Sequence, residues 1–255
     1  MSVVIQYDGT FNGFLSAVFY IFKNNLSNTD VGFSSSMKPK TSLFGTAITV
    51  SCELEKAQRV WRYLKRVVKS SGASLIYKSF LSEADNIENL LLAIIYAIHK
   101  DGGAIIYNYG DAQISLMRKL VKSVNREKHR MEAFVRFKLT KDQIYFSRVA
   151  PDFNVLPLIA NHFKKRYADQ KWIIYDDCRK YGLYYDLNSV EVIEFEFKND
   201  KNSSSAFTED EAFFQQLWVN YFESTNIKSR INTMLHIRHV PKRYWKYLIE
   251  KGGEM

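Results

Sequence analysis

Cysteine, proline and acidic side chains are all scarce in this chain of 255 residues. Cys52 and Cys178 are its only thiols. Two sulfurs cannot by themselves hold a disulfide scaffold, an iron–sulfur cluster or a structural zinc. A reducing cytoplasm is therefore the expected compartment and no cofactor is expected; any cluster-based radical chemistry would have to come from a partner. With 4 prolines and 11 glycines, collagenous and low-complexity classes drop out. Long apolar runs are missing too. The strongest apolar window, residues 90–98, is far short of the roughly 20 residues that a spanning helix needs. The opening MSVVIQYDGTFNGF carries no basic n-region, so neither a secretion signal nor a membrane partner is expected.

Acid is the side of the charge balance in short supply. Asp plus Glu number 27 against 36 Lys plus Arg, a formal charge of +9 with a pI near 9.3. Aromatics reach 15%, with 16 Tyr and 18 Phe, while 46% hydrophobic and 25% charged residues are ordinary globular values. The length allows one or two domains and a sizeable core. A basic surplus with many aromatics suits an anionic, stackable partner such as nucleic acid.

Along the chain, residues 3–7 alternate as a strand, Asp8-Gly9-Thr10 supplies a turn and N-cap, and Phe11, Phe14, Leu15, Val18, Phe19 and Phe22 have helical spacing. Residues 28–42, rich in Ser, Asn, Lys and Pro, predict a loop, and 46–52 a strand. Glu53 opens a helix expected to stop at Ser70-Ser71-Gly72. Further helices are expected over 74–81 and 86–100, before the Asp101-Gly102-Gly103 break.

The next helix, about 111–131, has an apolar face of Ile114, Met117, Val121 and Val124. Arg118, Lys122, Arg126 and Arg130 recur every four residues beside it, accompanied by Lys119 and His129. After Asp111 only Glu127 offers a nearby acid. Such a ridge is either a solvated face or a line of phosphate contacts.

From Phe134 the period changes to two. Strands are predicted over 134–139 and 144–149, then a helix over 155–167 with Pro157 in its first turn, then strands over 172–176, 181–186 and 190–197. The order β-β-α-β-β-β predicts an α+β protein with a mainly antiparallel, five-stranded central sheet. Residues 199–205 predict a linker. Thr208 with Glu211 forms a capping box for a helix containing Phe213, Leu217 and Trp218. The organisation expected is an N-terminal strand and helix region (1–132), an α+β core (133–198) and a basic helical segment (199–255), together one compact unit.

Several constellations could carry chemistry. The acid-free stretch 226–249 includes Lys242, Arg243 and Lys246 interleaved with Tyr244, Trp245 and Tyr247. Such cations neutralise phosphates, and such rings stack on an unpaired base. Alternatively, Tyr244, Tyr247 and Leu248 pack a last short helix begun by Pro241 while the cations point outward. Asp152, Asn154 and His162 are the side-chain types that a nuclease or base-processing hydrolase would use. Helix capping by Asp152 and Asn154 is the plainer reading. Asp176, Asp177 and Asp186 suit turns and charge pairs better than a metal, and His236 with His239 lacks a third ligand, so no metal site is expected.

Three stretches resemble one family: YDGTFNGFLSAVF at the start; HRMEAFVRF, APDFNVLPLIANHF, KWIIYDD and LYYD in the centre; and LWVNYFESTNIKSRIN with VPKRYWKYLIE at the end. Together they resemble a bacterial family of uncharacterised proteins assigned to DNA metabolism or repair. Its members are encoded beside a radical S-adenosylmethionine (radical SAM) protein, and in some bacteria the domain is fused to a uracil-DNA glycosylase-like domain. The resemblance implies DNA, a radical SAM protein and a uracil-DNA glycosylase-like protein as partners. Neither a glycosylase's water-activating loop nor its cluster cysteines are found in this sequence, so the expected role is an accessory DNA-binding one. Its contacts would be Arg118, Lys122, Arg126, His129, Arg130 and the cations of the last helix, with Tyr244 or Trp245 near a distorted base.

Overall fold

The computed structural model describes residues 3–26, 31–35, 46–194, 217 and 240–251. The predicted linker at 199–205, the capping-box helix, residues 226–239 and the His236/His239 pair lie outside the described residues, apart from Leu217. The chain divides into two compact units, Met1–Asn125 and Arg126–Met255.

In the first unit, strand β1 (Val3–Tyr7) leads through a capped turn into helix α1 (Phe11–Lys23). Asp8 Oδ1 accepts the Thr10 backbone N–H at 2.9 Å and its hydroxyl at 2.8 Å, while Thr10 Oγ1 accepts the Gly13 N–H at 2.9 Å. This is the expected N-cap, which satisfies one of the helix's unpaired donors. Phe14, Leu15, Val18 and Ile21 are fully buried. Each such side chain contributes about 1.5–3 kcal/mol by leaving water. Phe11 meets Trp61, Tyr77 and Phe80 of the next helix with ring centroids 5.3, 5.0 and 5.2 Å away.

Strands β2 (Val31–Ser35) and β3 (Thr46–Thr49) both pair parallel to β1, in the order β2-β1-β3. The expected loop over 28–42 therefore contains a strand. Its Ser-rich composition hid a Val31/Phe33 alternation that is buried only once β1 lies beside it. Helix α2 (Leu54–Phe80) is kinked beside the expected stop, two helical stretches running into one another. Its break comes at Lys69 (φ 60°, ψ 172°), while Gly72 sits buried in the helix, where a Cβ would lie 2.8 Å from the Val68 side chain. Helix α3 (Ile87–Asp101) and a 3₁₀ turn (Gly103–Tyr107) follow.

At Gly103 a Cβ would fall 2.1 Å from the Val67 carbonyl oxygen. Backbone cannot step aside as a side chain does, so Gly103→Ala is expected to destabilise this unit by about 1–3 kcal/mol. Chemical denaturation of the variant measures the cost, and wild-type stability would contradict it.

Helix α4 (Ala112–Phe134) begins where Asp111 Oδ1 accepts the N–H groups of Gln113 at 2.8 Å and Ile114 at 3.0 Å. Ile114, Met117, Val121 and Val124 are buried, as their spacing predicts. The second unit adds β4 (Lys138–Leu139), β5 (Tyr145–Val149), α5 (Leu156–Arg166), β6 (Trp172–Asp176), β7 (Tyr181–Tyr185) and β8 (Val190–Glu194), in the sheet order β4-β5-β6-β7-β8. Around Trp172 the rings of Phe137, Phe163 and Tyr185 gather within 5.4–6.4 Å.

The fold is α+β, but the sheet class differs from the expectation. The three-stranded sheet is wholly parallel, and the five-stranded one is mixed because β5 and β6 run parallel. Helix α5 is a crossover between them, and a strand returning through a helix on one face re-enters the sheet in the same direction. The hairpins β6-β7 and β7-β8 are antiparallel. The chain's last described elements are 3₁₀ helices, Lys242–Tyr247 and Ile249–Lys251. Among the described residues, no helix is long and apolar enough to cross a membrane.

Candidate nucleic-acid interface

The second unit is organised around a buried carboxylate. Glu127, on α4, is 1% exposed. Its Oε1 accepts the Tyr244 hydroxyl and, at 2.9 Å, the Asp152 backbone N–H. Its Oε2 faces the guanidinium groups of Arg243 at 3.4 Å and Arg130 at 3.5 Å. Arg243 also reaches Asp152 Oδ2 at 2.6 Å and donates to the Tyr244 oxygen at 2.5 Å. One acid thus joins α4, the segment before α5 and the Lys242–Tyr247 helix. Burial, the hydrogen bond to Glu127 and that carboxylate's charge push the Tyr244 phenol far above its ordinary range, so it is a neutral donor at physiological pH.

A second anchor lies at the β6-β7 turn. Asp176 is fully buried; its Oδ1 accepts the Cys178 N–H at 2.9 Å and the Arg179 N–H at 3.2 Å, and its Oδ2 pairs with Arg179 at 2.9 Å. Arg179 also donates to the carbonyls of Pro151 at 3.0 Å and Asp152 at 3.3 Å. Asp177 accepts from Arg148 at 3.0 Å and from the Tyr247 hydroxyl at 3.0 Å. Burial raises the Asp176 carboxyl above its ordinary pKa, and Arg179 and the two N–H donors offset only part of that rise. A raised carboxyl binds its proton more readily in the folded chain than in the unfolded one. Between the ordinary and the raised pKa, the stability from this group therefore falls as pH rises. Carboxyl-carbon NMR should place the Asp176 midpoint above the ordinary Asp value, and Arg179→Ala should move it higher still. A midpoint at or below that ordinary value would contradict the burial argument.

The Lys242–Tyr247 3₁₀ helix sorts its side chains by a period of three. Tyr244 and Tyr247 share one side and go inward, to Glu127 and to Asp177, and in the next short turn Glu250 pairs with Arg136 at 2.8 Å. Leu248 is buried as well, whereas Lys242, Arg243 and Lys246 are exposed. The half-buried Trp245 donates its indole N–H to the Val240 carbonyl at 3.0 Å and carries the ammonium groups of Lys242 and Lys251 6.0 and 5.4 Å from its ring. Lys246 lies 4.7 Å from the Tyr247 ring. Neither Lys242 nor Lys246 has a carboxylate partner among the described residues.

Several expected contact residues have other roles. Tyr244 is 2% exposed and cannot stack on a base. Arg118 donates to the Ile106 carbonyl at 3.0 Å and covers the Tyr109 ring at 4.4 Å, which ties down the 3₁₀ turn. Arg130 and Arg243 face Glu127. Lys122, Arg126 and His129 are exposed.

Asp152, Asn154 and His162 do not cap α5, whose N-cap position is Val155 with no side-chain cap bond; Pro157 stands in its first turn as predicted. Each of the three has its own partner: Asp152 takes Arg243, Asn154 accepts the Tyr181 hydroxyl, and His162 Nδ1 lies 3.8 Å from Glu132. Among the described residues, no hydrogen bond or ion pair links the three to one another. Asp186 accepts the N–H groups of Asn188 and Ser189 in a turn, each at 2.7 Å. Among the described residues, no group of three or more His, Cys, Asp or Glu is placed to hold a metal.

One basic surface in the first unit was not expected. Arg59, Arg62 and Arg66 of α2 line an open concavity of about 540 Å³ together with Tyr63. The signal was present, since these arginines recur at i, i+3 and i+7 in a helix whose only acid is Glu55.

No curated protein matches the chain. Among solved structures, a pGpG-specific phosphodiesterase, PggH from Vibrio cholerae, is 9% identical over 88% of this chain and 99% of its own, with a TM-score of 0.37. A superposition that loose carries no argument about fold or activity. The model of one protein family, described as a domain of unknown function, matches residues 85–250 and so takes in both carboxylate anchors, Glu127 and Asp176, and the Lys242–Tyr247 helix. The chain belongs to that family, DUF4130.

Proposed function

We propose that this protein is a DNA-binding accessory factor in bacterial DNA repair or modification. The observation that carries the reading is the sorting of side chains on the Lys242–Tyr247 helix. Its tyrosines are committed to the carboxylates of Glu127 and Asp177, while Lys242 and Lys246 stay exposed with no carboxylate partner among the described residues, Lys242 over the part-exposed ring of Trp245 and Lys246 over that of Tyr247. Exposed cations beside part-exposed rings suit a phosphate backbone with a base in reach. Arg126 and His129 add exposed positive or titratable groups to the same unit. In this reading the chemistry belongs to a radical SAM partner, as the family resemblance implies, and a uracil-DNA glycosylase-like protein is a further partner.

The test is fluorescence anisotropy with labelled single-stranded and duplex DNA over a range of salt, followed by co-purification with the neighbouring radical SAM protein. Affinity that falls steeply with salt is expected. Absence of DNA binding at low salt, both alone and with the partner, would overturn the reading.

A further inference from the structure

The α2 concavity lies outside the residues matched by the family model, and it belongs to the first unit, whereas the cations assigned above to DNA belong to the second. Arg59, Arg62 and Arg66 fall within about 60° of arc on the helix, with Tyr63 beside them. Each guanidinium is steadied by an uncharged neighbour. Arg59 lies 5.6 Å from the Phe19 ring, Arg66 lies 5.7 Å from the Tyr63 ring, and Arg62 donates its Nε–H to the Gln58 carbonyl at 3.3 Å. None of the three has a carboxylate partner among the described residues, so their terminal N–H groups keep their donors for a ligand. The Tyr63 hydroxyl meets His99 Nδ1 at 3.2 Å, which fixes that ring against α3.

Three positive charges around one space of about 540 Å³, with no acid in its lining, ask for more than one negative charge. A phosphodiester offers one. A terminal phosphate monoester offers about 1.5–2 at neutral pH and three oxygens for forked guanidinium donors. The volume falls within the range of small-ligand sites, roughly 300–1,000 Å³. Tyr63 supplies an aromatic edge for an attached base.

We infer that this concavity binds the terminal phosphate monoester of a nucleotide, either free or at the end of a strand. Arg59, Arg62 and Arg66 hold the phosphate, and Tyr63 lies beside the base.

Isothermal titration of the full chain with thymidine 5′-monophosphate, with thymidine, and with 5′-phosphorylated and 5′-hydroxyl forms of one short oligonucleotide tests this. The monophosphate is expected to bind at least about tenfold more tightly than thymidine. The variant Arg62→Gln/Arg66→Gln, whose circular dichroism and Tm must match wild type, is expected to lose that preference; Arg59→Gln is the substitute if it does not fold. A phosphate preference seen only with the oligonucleotide assigns the site to strand ends. No preference for the phosphorylated form of either ligand, or a preference that survives in the folded variant, overturns the inference. Because the readout is preference for a monoester rather than salt-dependent affinity for DNA, this inference and the DNA-binding reading can fail separately.

Discussion

Replacing Glu127 by alanine is expected to destabilise the C-terminal unit by about 3–5 kcal/mol, the largest single effect anticipated in this protein. The carboxylate is 1% exposed, and its removal strands four groups at once. The Tyr244 hydroxyl and the Asp152 N–H lose their acceptor, while Arg130 and Arg243 lose a counter-charge. Each buried donor left unsatisfied costs about 1–3 kcal/mol. The two arginine terms are smaller, because both side chains are partly exposed and water screens them. Tyr244→Phe removes the hydrogen bond to the charged Glu127 acceptor and the one accepted from Arg243, and should cost about 1.5–3 kcal/mol. In a double-mutant cycle the two changes should be strongly non-additive, since each deletes the same hydrogen bond. Urea unfolding monitored by Trp fluorescence gives all three numbers. Additive effects, or a Glu127→Ala protein of wild-type stability, would show that the hub is not what joins these segments.

The second large effect concerns binding. Lys242→Glu with Lys246→Glu is expected to leave the fold intact, because both side chains are exposed and neither holds a carboxylate among the described residues. DNA affinity should nonetheless fall by one to two orders of magnitude, roughly, because two phosphates go unneutralised and two carboxylates now repel the backbone. The slope of log K against log salt should shrink by about 0.9 for each phosphate no longer neutralised, about 1.8 in all on duplex DNA. Equal slopes for variant and wild type would remove these lysines from the interface. Arg118→Gln should behave in the opposite way, lowering stability while leaving the salt slope unchanged, because its guanidinium is committed to the Ile106 carbonyl and the Tyr109 ring.

Legibility in the sequence followed the range of the interactions. Strand β6 lies where Trp172-Ile173-Ile174-Tyr175-Asp176 alternates between turn signals, and α1 starts at the cap that Asp8-Gly9-Thr10 spells out, because both signals are local. Strand β2 escaped because its partner β1 lies 28 residues earlier in register, Val3 opposite Val31, and nothing within the Ser-rich stretch announces that pairing. The parallel character of the sheets was missed for the same reason, since direction is set by crossovers and not by alternation. At the candidate interface, the exposed lysines and the packing of Tyr244, Tyr247 and Leu248 were readable from the spacing after Pro241. Glu127 was not. In sequence it is the one acid on a basic ridge. In the fold its partners Asp152, Arg243 and Tyr244 are 25, 116 and 117 residues away. A lone carboxylate among arginines is as consistent with a solvated face as with a buried anchor, and only tertiary structure separates the two. The arginines of α2 were legible by the spacing rule that picked out the α4 ridge.

In the C-terminal unit, carboxylates sort the cations into structural ones and ones left to meet phosphate. Lysine footprinting tests it most directly, by reductive methylation of the free protein and of its DNA complex with mass-spectrometric readout at each lysine. DNA should protect Lys242 and Lys246, while Lys128, held 2.7 Å from Glu132, should react equally in both states. Equal reactivity of Lys242 and Lys246 with and without bound DNA would contradict this sorting.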